Sequence, residues 1–292
     1  MSNALEYVQR IARLAEGKKK LRVMEVCGTH TVAIFRSGIR QVLPENVELV
    51  SGPGCPVCVT NDDYIDKAVE YSRRKDFIVA TFGDMLKVPG SRSSLSEAVA
   101  EGADVRIVYS PLDSLKLAKE KPRKKIIFLA VGFETTAPTQ AATVLAAKAK
   151  GIKNLFMLSA QKLVPPALRF LLKDAEVKVD GFLLPGHVAV VIGADAFNFL
   201  AEEFQIPSAV GGFEAEEILT AIGSLLEQID NGRAEVANEY RAVVKAEGNL
   251  AAKKILAQVY EVADADWRGM GKIPASGLKM REEFAEFDIE RV

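Results

Sequence analysis

The sequence predicts an α/β protein built as two similar parallel-sheet α/β domains facing a cleft, followed by a helical and irregular C-terminal segment. Three observations predict it. Short apolar runs at 47–50, 77–82, 105–109 and 126–131 alternate with stretches of helical spacing, the pattern of a parallel sheet covered on both faces. Several runs break at turns rich in glycine, proline or polar residues. The series then restarts after 121–125, a charged, proline-bearing junction poor in apolar residues. The expected division is 1–120, a first α/β domain carrying the Cys27 and CPVC turns, then 121–213, a second α/β domain, then 214–292, helices and tail packing back on both.

Each element follows from local pattern. Residues 3–19 read as an amphipathic helix ending in Lys18, Lys19 and Lys20, and 22–27 as a strand that breaks at Gly28. Helical spacing from Thr31 to Leu43 stops at Pro44. Strand 47–50 runs into Gly52, Pro53 and Gly54, where the chain turns sharply before Cys55 and Cys58. Thr60, Asp62 and Asp63 then open a helix to about Arg74, so both thiols are expected just before a helix N-terminus, a position that favours negative charge. Strand 77–82, a helix near 94–101 and strand 105–109 complete the first series. The second has strand 126–131, helix 137–150, strand 155–158, helix 165–173 and strands 181–184 and 208–210. Residues 214–247 read as mostly helical, and the segment through Trp267 and Gly269 to the end as short in strands.

The totals exclude several classes. A chain of 292 residues is long enough for two domains, and 49% hydrophobic with 26% charged residues is ordinary for a soluble globular protein. A net charge of −1 gives no reason to expect a nucleic-acid partner. The N-terminus has no basic head followed by an apolar core, so no secretory signal is expected. The most apolar long stretch, 182–200, contains Pro185, Gly186, His187 and Asp195, which argues against a membrane span. Three cysteines without an export signal point to a reduced, cytoplasmic setting and to thiol or metal chemistry rather than a structural disulfide.

The chemistry-bearing residues gather in four turns, CGTHT at 27–31, CPVC at 55–58, GFETT at 132–136 and PGHV at 185–188, each after an expected strand. In open α/β sheets ligands bind outside the carboxyl ends of strands, so these turns are candidates for one site. CxxC spacing suits a redox disulfide or half of a metal site. Cys27 alone would be an ordinary small core residue, but its polar neighbours suit a reactive thiol. His30, three residues on, is a candidate base, hydrogen-bond donor or metal neighbour, against a helix-start histidine bonded to backbone. Glu134 is either part of a helix cap shared with Thr135 and Thr136 or a group in a polar cleft. His187 has a structural and a ligand-binding reading. Three cysteines and a histidine meet the count for zinc, though the gap from Cys27 to Cys55 is unlike compact zinc modules. A stand-alone thiol–disulfide oxidoreductase using CPVC and a pure interaction module are the alternatives from other classes.

Together with WRGMGKIPASGL at 267–278, the stretches CGTHT, SGPGCPVC, GFETTAP and PGHV resemble the HypD family of hydrogenase maturation factors, over nearly the whole chain. The resemblance implies a scaffold that holds iron with a small HypC-type partner while the Fe(CN)2CO group of [NiFe] hydrogenase is assembled, with a HypE-type protein supplying cyanide. It makes Cys27 the iron-binding thiolate, His30 its nearby helper, Cys55 and Cys58 the redox-active pair, and Glu134 part of a cleft-facing motif. The family also carries a [4Fe–4S] cluster in a cysteine-rich segment. No cysteine follows Cys58 here, so no such cluster is expected from this sequence.

Overall fold

The computed structural model describes residues 4–292, so residue 3, at which the sequence starts the first helix, lies outside the described residues. Along the chain come α1 (Ala4–Ala15), β1 (Leu21–Glu25), α2 (Gly28–Arg36), the single-turn α3 (Ile39–Val42), β2 (Val47–Ser51), α4 (Asp62–Arg73) and β3 (Phe77–Thr81). Next are α5 (Leu95–Ala100), β4 (Val105–Ile107), α6 (Asp113–Glu120), β5 (Lys125–Gly132), α7 (Ala137–Ala149), β6 (Leu155–Gln161) and α8 (Val164–Leu171). Then follow β7 (Gly181–Pro185), α9 (Gly186–Ile192), α10 (Phe199–Glu202), β8 (Ser208–Gly211), α11 (Ala215–Asp230) and β9 (Val236–Asn238). The order closes with α12 (Leu250–Val259), β10 (Tyr260–Trp267) and β11 (Gly271–Met280), with short 3-10 turns between elements and after β11.

Two parallel sheets organise these elements, so the α/β class holds. One has strand order β2-β1-β7-β8-β9 and the other β4-β3-β5-β6, and every pairing within them is parallel. The chain divides into unit 1, Met1–Cys55 with Ala167–Leu250, and unit 2, Pro56–Pro166 with Ala251–Val292. This differs from the consecutive division at 120 and 213. β7, β8 and β9 extend the sheet begun by β1 and β2, while β3 and β4 join β5 and β6 across the junction at 121–125. Strand neighbours are set by edge pairing between distant segments, and no local pattern encodes that choice.

Within unit 2 the strand pleat sorts the core. Ile126, Phe128 and Ala130 pack on one face with Ala137, Ala141 and Val144 of α7. Ile127, Leu129 and Val131 pack on the other with Ile65 and Ala68 of α4. Both faces are buried, which is why β5 reads as a continuous apolar run, and each large side chain so covered contributes roughly 1.5–3 kcal/mol. In unit 1, Val23, Leu49, Leu183 and Ala209 of the sheet pack with Ile11 of α1 and Ile218, Ile222 and Leu225 of α11. Arg10 of α1 and Lys18 just after it are tied to α11 by the pairs Arg10–Glu227 and Lys18–Asp230.

Three expectations are corrected. The expected helix from Thr31 to Leu43 begins earlier, at Gly28, and is interrupted at Gly38, which takes the left-handed φ of 66° that few side chains tolerate. The mostly helical stretch 214–247 contains only α11, followed by β9 and irregular chain. The irregular C-terminal segment is instead an antiparallel hairpin, β10 with β11. Tyr260 to Trp267 does alternate, with Glu261, Ala263 and Ala265 half-buried and Val262, Asp264 and Asp266 exposed, but Ala and Asp at these places have low strand preference and hide the period.

Candidate functional site

Unit 1 brings Cys27 and Cys55 together. β1 ends at Glu25, and Cys27 occupies the N-cap of α2 in extended conformation (φ −154°, ψ 125°), its carbonyl accepting from Thr31 N–H at 3.0 Å. Its side chain makes no cap bond. The N–H of Gly28 donates to Gly54 O at 2.9 Å, so the turn bearing Cys27 lies directly on the turn leading into Cys55. Gly54 permits this approach, since a Cβ there would stand 2.5 Å from Cys27 N. Cys27 and Cys55 are partly covered, whereas Cys58 is exposed.

The cysteine that directly precedes a helix is therefore Cys27, not the CPVC pair. α4 starts only at Asp62, and residues 56–59 form a separate turn. Thr60 does not open the helix. Its hydroxyl donates to Pro56 O at 2.8 Å, and its backbone bridges to Trp267.

His30 is buried in unit 1. Its Nε2 lies 2.7 Å from Gly212 O, and because a carbonyl only accepts, Nε2 carries the proton and Nδ1 is the lone-pair nitrogen. Nδ1 is buried without a partner. Burial pushes the imidazole down to about 4, so it is neutral at ordinary pH. The ring stacks on Phe213 (centroids 4.6 Å apart), whose ring also stacks with exposed His187 at 3.8 Å. The backbone-bonded reading of His30 is thus realised, with the carbonyl supplied by a loop far away in sequence.

Glu25 was not a sequence candidate, and it is the most buried charged group beside Cys27. Its Oε1 accepts from Thr31 Oγ1 at 2.8 Å and Ser51 Oγ at 2.6 Å. Oε2 is buried without a partner, and burial raises the carboxyl above its ordinary range. A signal existed: Leu21, Val23 and Glu25 share one parity of β1, and that parity is the buried one.

Unit 2 holds Cys58 and Glu134. Glu134 follows β5, is 3% exposed, and accepts from Val164 N–H, the first residue of α8, at 2.9 Å. Its Oε2 has no partner, and burial pushes the carboxyl up to about 7. It therefore caps no part of α7. Neither does Thr136, whose hydroxyl turns back to Phe133 O at 3.3 Å. Phe133 stacks on Trp267 (5.9 Å), and Trp267 Nε1–H donates to Ser276 Oγ at 2.8 Å. Arg268 N–H donates to Val59 O at 2.9 Å, which ties the hairpin turn to the loop just after Cys58. Lys162 is buried here too, donating to Asp266 O at 2.9 Å with Nζ 5.6 Å from the Trp267 ring centre, and burial lowers it to about 8. Nothing in the local sequence marks Lys162.

In unit 1 the chemistry available is that of two thiols on strand-end turns, with the buried carboxyl of Glu25 bonded to Thr31 and Ser51 of those segments and the neutral imidazole of His30 in the first turn of α2. Among the described residues no three His, Cys, Asp or Glu side chains gather as a metal-holding group. No helix among them is long and apolar enough to cross a membrane.

Fold and site define a thiol-bearing protein of two parallel α/β units, with cysteines carried on the turns that leave β1 and β2. The family model of HypD, described as the hydrogenase formation hypA family, matches residues 2–292. The chain is 47% identical over 274 residues to the hydrogenase maturation factor HypD of Escherichia coli, covering 94% of this chain and 74% of that protein. It is 45% identical over 282 residues to a putative hydrogenase expression/formation protein of Methanocaldococcus jannaschii (97% and 78%), and 44% over 297 residues to HypD of Azotobacter vinelandii (99% and 78%). The chain belongs to the HypD family of hydrogenase maturation factors.

Proposed function

We propose that this chain is an assembly scaffold in [NiFe] hydrogenase maturation, which holds iron as cargo together with a HypC-type partner while the Fe(CN)2CO group is built. The observation that carries this is the backbone contact between the Cys27 and Cys55 turns in unit 1. It presents one thiolate as a soft iron ligand with a second thiol beside it. A scaffold sharing iron with a partner's cysteine needs only one ligand of its own. Cys27 takes that part. Cys55 and Cys58 form the dithiol: oxidation to a disulfide releases two electrons and two protons to an acceptor, and reduction reverses it. A HypE-type protein delivers cyanide, and the thiols work in the reducing cytoplasm. His30, neutral and bonded to Gly212, orients the first turn of α2 rather than carrying charge.

The test is anaerobic co-purification with a HypC-type partner, with iron content and Fe–CN and Fe–CO infrared bands as readouts. Cys27→Ser keeps the side chain's size and removes the soft ligand, so iron should fall to background while the melting temperature stays near that of the parent. Undiminished iron in this variant removes Cys27 from the mechanism. The exposure of Cys58 favours a second reading, a stand-alone thiol–disulfide oxidoreductase. Efficient reduction of an insulin-type disulfide, without partner or iron, would support it.

A further inference from the structure

We propose that Glu25 is a positioning residue whose buried carboxylate braces the turn bearing Cys27 against the turn bearing Cys55 and so sets the separation of the two sulfurs. The use of that separation rests on the scaffold reading, but the geometry does not.

Glu25 occupies a place on the inward face of β1 where Leu21 and Val23 are apolar, and it is fully buried. Putting a carboxylate there is costly unless its oxygens are hydrogen-bonded, and one of them, Oε2, has no partner. Core filling alone therefore does not explain its identity. The two donors it does receive come from two different segments. Thr31 Oγ1 belongs to the first turn of α2 and Ser51 Oγ to the last residue of β2. One oxygen, Oε1, thus joins the start of the Cys27 turn to the start of the Ser51–Cys55 turn.

Backbone bonds complete the brace from either side. Gly52 N–H donates to Glu25 O at 2.7 Å and Gly28 N–H to Gly54 O at 2.9 Å. These two bonds hold main chain to main chain at the two ends of the contact. The carboxylate holds Thr31, which in turn bonds the carbonyl of Cys27 through its N–H at 3.0 Å and its hydroxyl at 3.3 Å, and so bears on where the Cys27 side chain leaves the backbone.

The test uses the full chain carrying Cys58→Ser, which leaves Cys27 and Cys55, and the probe dibromobimane. Each thiolate displaces one bromide, and the product fluoresces only when both arms have reacted. The ratio of ring closure to first alkylation reads the sulfur separation without iron or partner. The parent should close efficiently. Glu25→Gln keeps an accepting oxygen and should stay within about twofold of the parent, while Glu25→Ala should lower the ratio about tenfold with first alkylation unchanged, since loss of orientation removes effective concentration. Should Glu25→Ala fail to fold, the double variant Ser51→Ala with Thr31→Val removes the two hydroxyl donors and should lower the ratio severalfold. An unchanged ratio in whichever of these folds, equal loss in Glu25→Gln and Glu25→Ala, or failure of the parent to close would each overturn the proposal. Iron retained by Cys27→Ser would instead overturn the scaffold reading and leave this result standing.

Discussion

Replacing Glu134 by glutamine removes a titration from the interior of unit 2 while leaving the acceptor for Val164 N–H in place. The wild-type carboxyl moves from an ordinary 4.5 to about 7 because burial disfavours its charge. An acid whose folded value lies above its unfolded value binds more protons when folded. Its stabilisation is therefore complete below about pH 4.5 and is lost as pH rises through about 7. Each tenfold change in proton affinity is worth about 1.4 kcal/mol, so the loss across that window is on the order of 3 kcal/mol. Glutamine does not titrate. Unfolding of Glu134→Gln should match wild type near pH 5 and exceed it near pH 8 by up to about 3 kcal/mol. The assay is urea unfolding followed by the chain's single tryptophan, Trp267, which stacks on Phe133 next to Glu134 and reports on unit 2. Parallel pH profiles for the two proteins would refute the assignment of a raised carboxyl at this position.

The remaining predictions follow from the same geometry. Mild oxidation should consume two thiols, Cys55 and Cys58, and leave Cys27 intact, since two intervening residues allow the sulfurs to reach bonding distance; thiol counting that finds three lost, or none, contradicts it. Cys55→Ala should retain part of the iron bound with a HypC-type partner but lose the reversible oxidation, read by the same count. His30 has its folded value lowered from 6.5 to about 4, so it contributes stability that is present above about pH 6.5 and lost as pH falls through about 4. Replacing it with phenylalanine should flatten acid unfolding over that range, and an unchanged acid limb would show that the imidazole is already charged in the fold. Gly54→Ala forces a methyl against Cys27 N and should cost about 1–3 kcal/mol, together with a changed alkylation rate at Cys27.

Much of this protein was legible because its information is local. Apolar runs ending at Gly28, Gly52, Gly132 and Gly186 mark strands that stop at turns, and those turns carry the cysteines, the histidines and Glu134. A buried parallel strand must be apolar along its length, and a chain leaving it must turn, so sequence suffices for both. The family resemblance rests on those same turns.

What sequence could not supply is whatever depends on which distant segment lies alongside. The sheet containing β1 and β2 is finished by β7, β8 and β9, and β3 and β4 lie beside β5 and β6, because strand edges pair by complementarity across the whole chain. The same reason hid the partners of the polar side chains. Nothing near His30 indicates Gly212, and nothing near Glu134 indicates that its acceptor oxygen serves Val164 rather than α7. Glu25 is the intermediate case. Its parity in β1 was readable, but only the packed structure shows that the inward face there is closed and that Thr31 and Ser51 supply its donors. Sequence thus determined the elements and the reactive turns, through periodicity and chain-breaking residues. Tertiary structure decided the pairing, the burial of the carboxyls and the imidazole, and hence their charge, because desolvation depends on everything packed around a group and not on its neighbours in the chain.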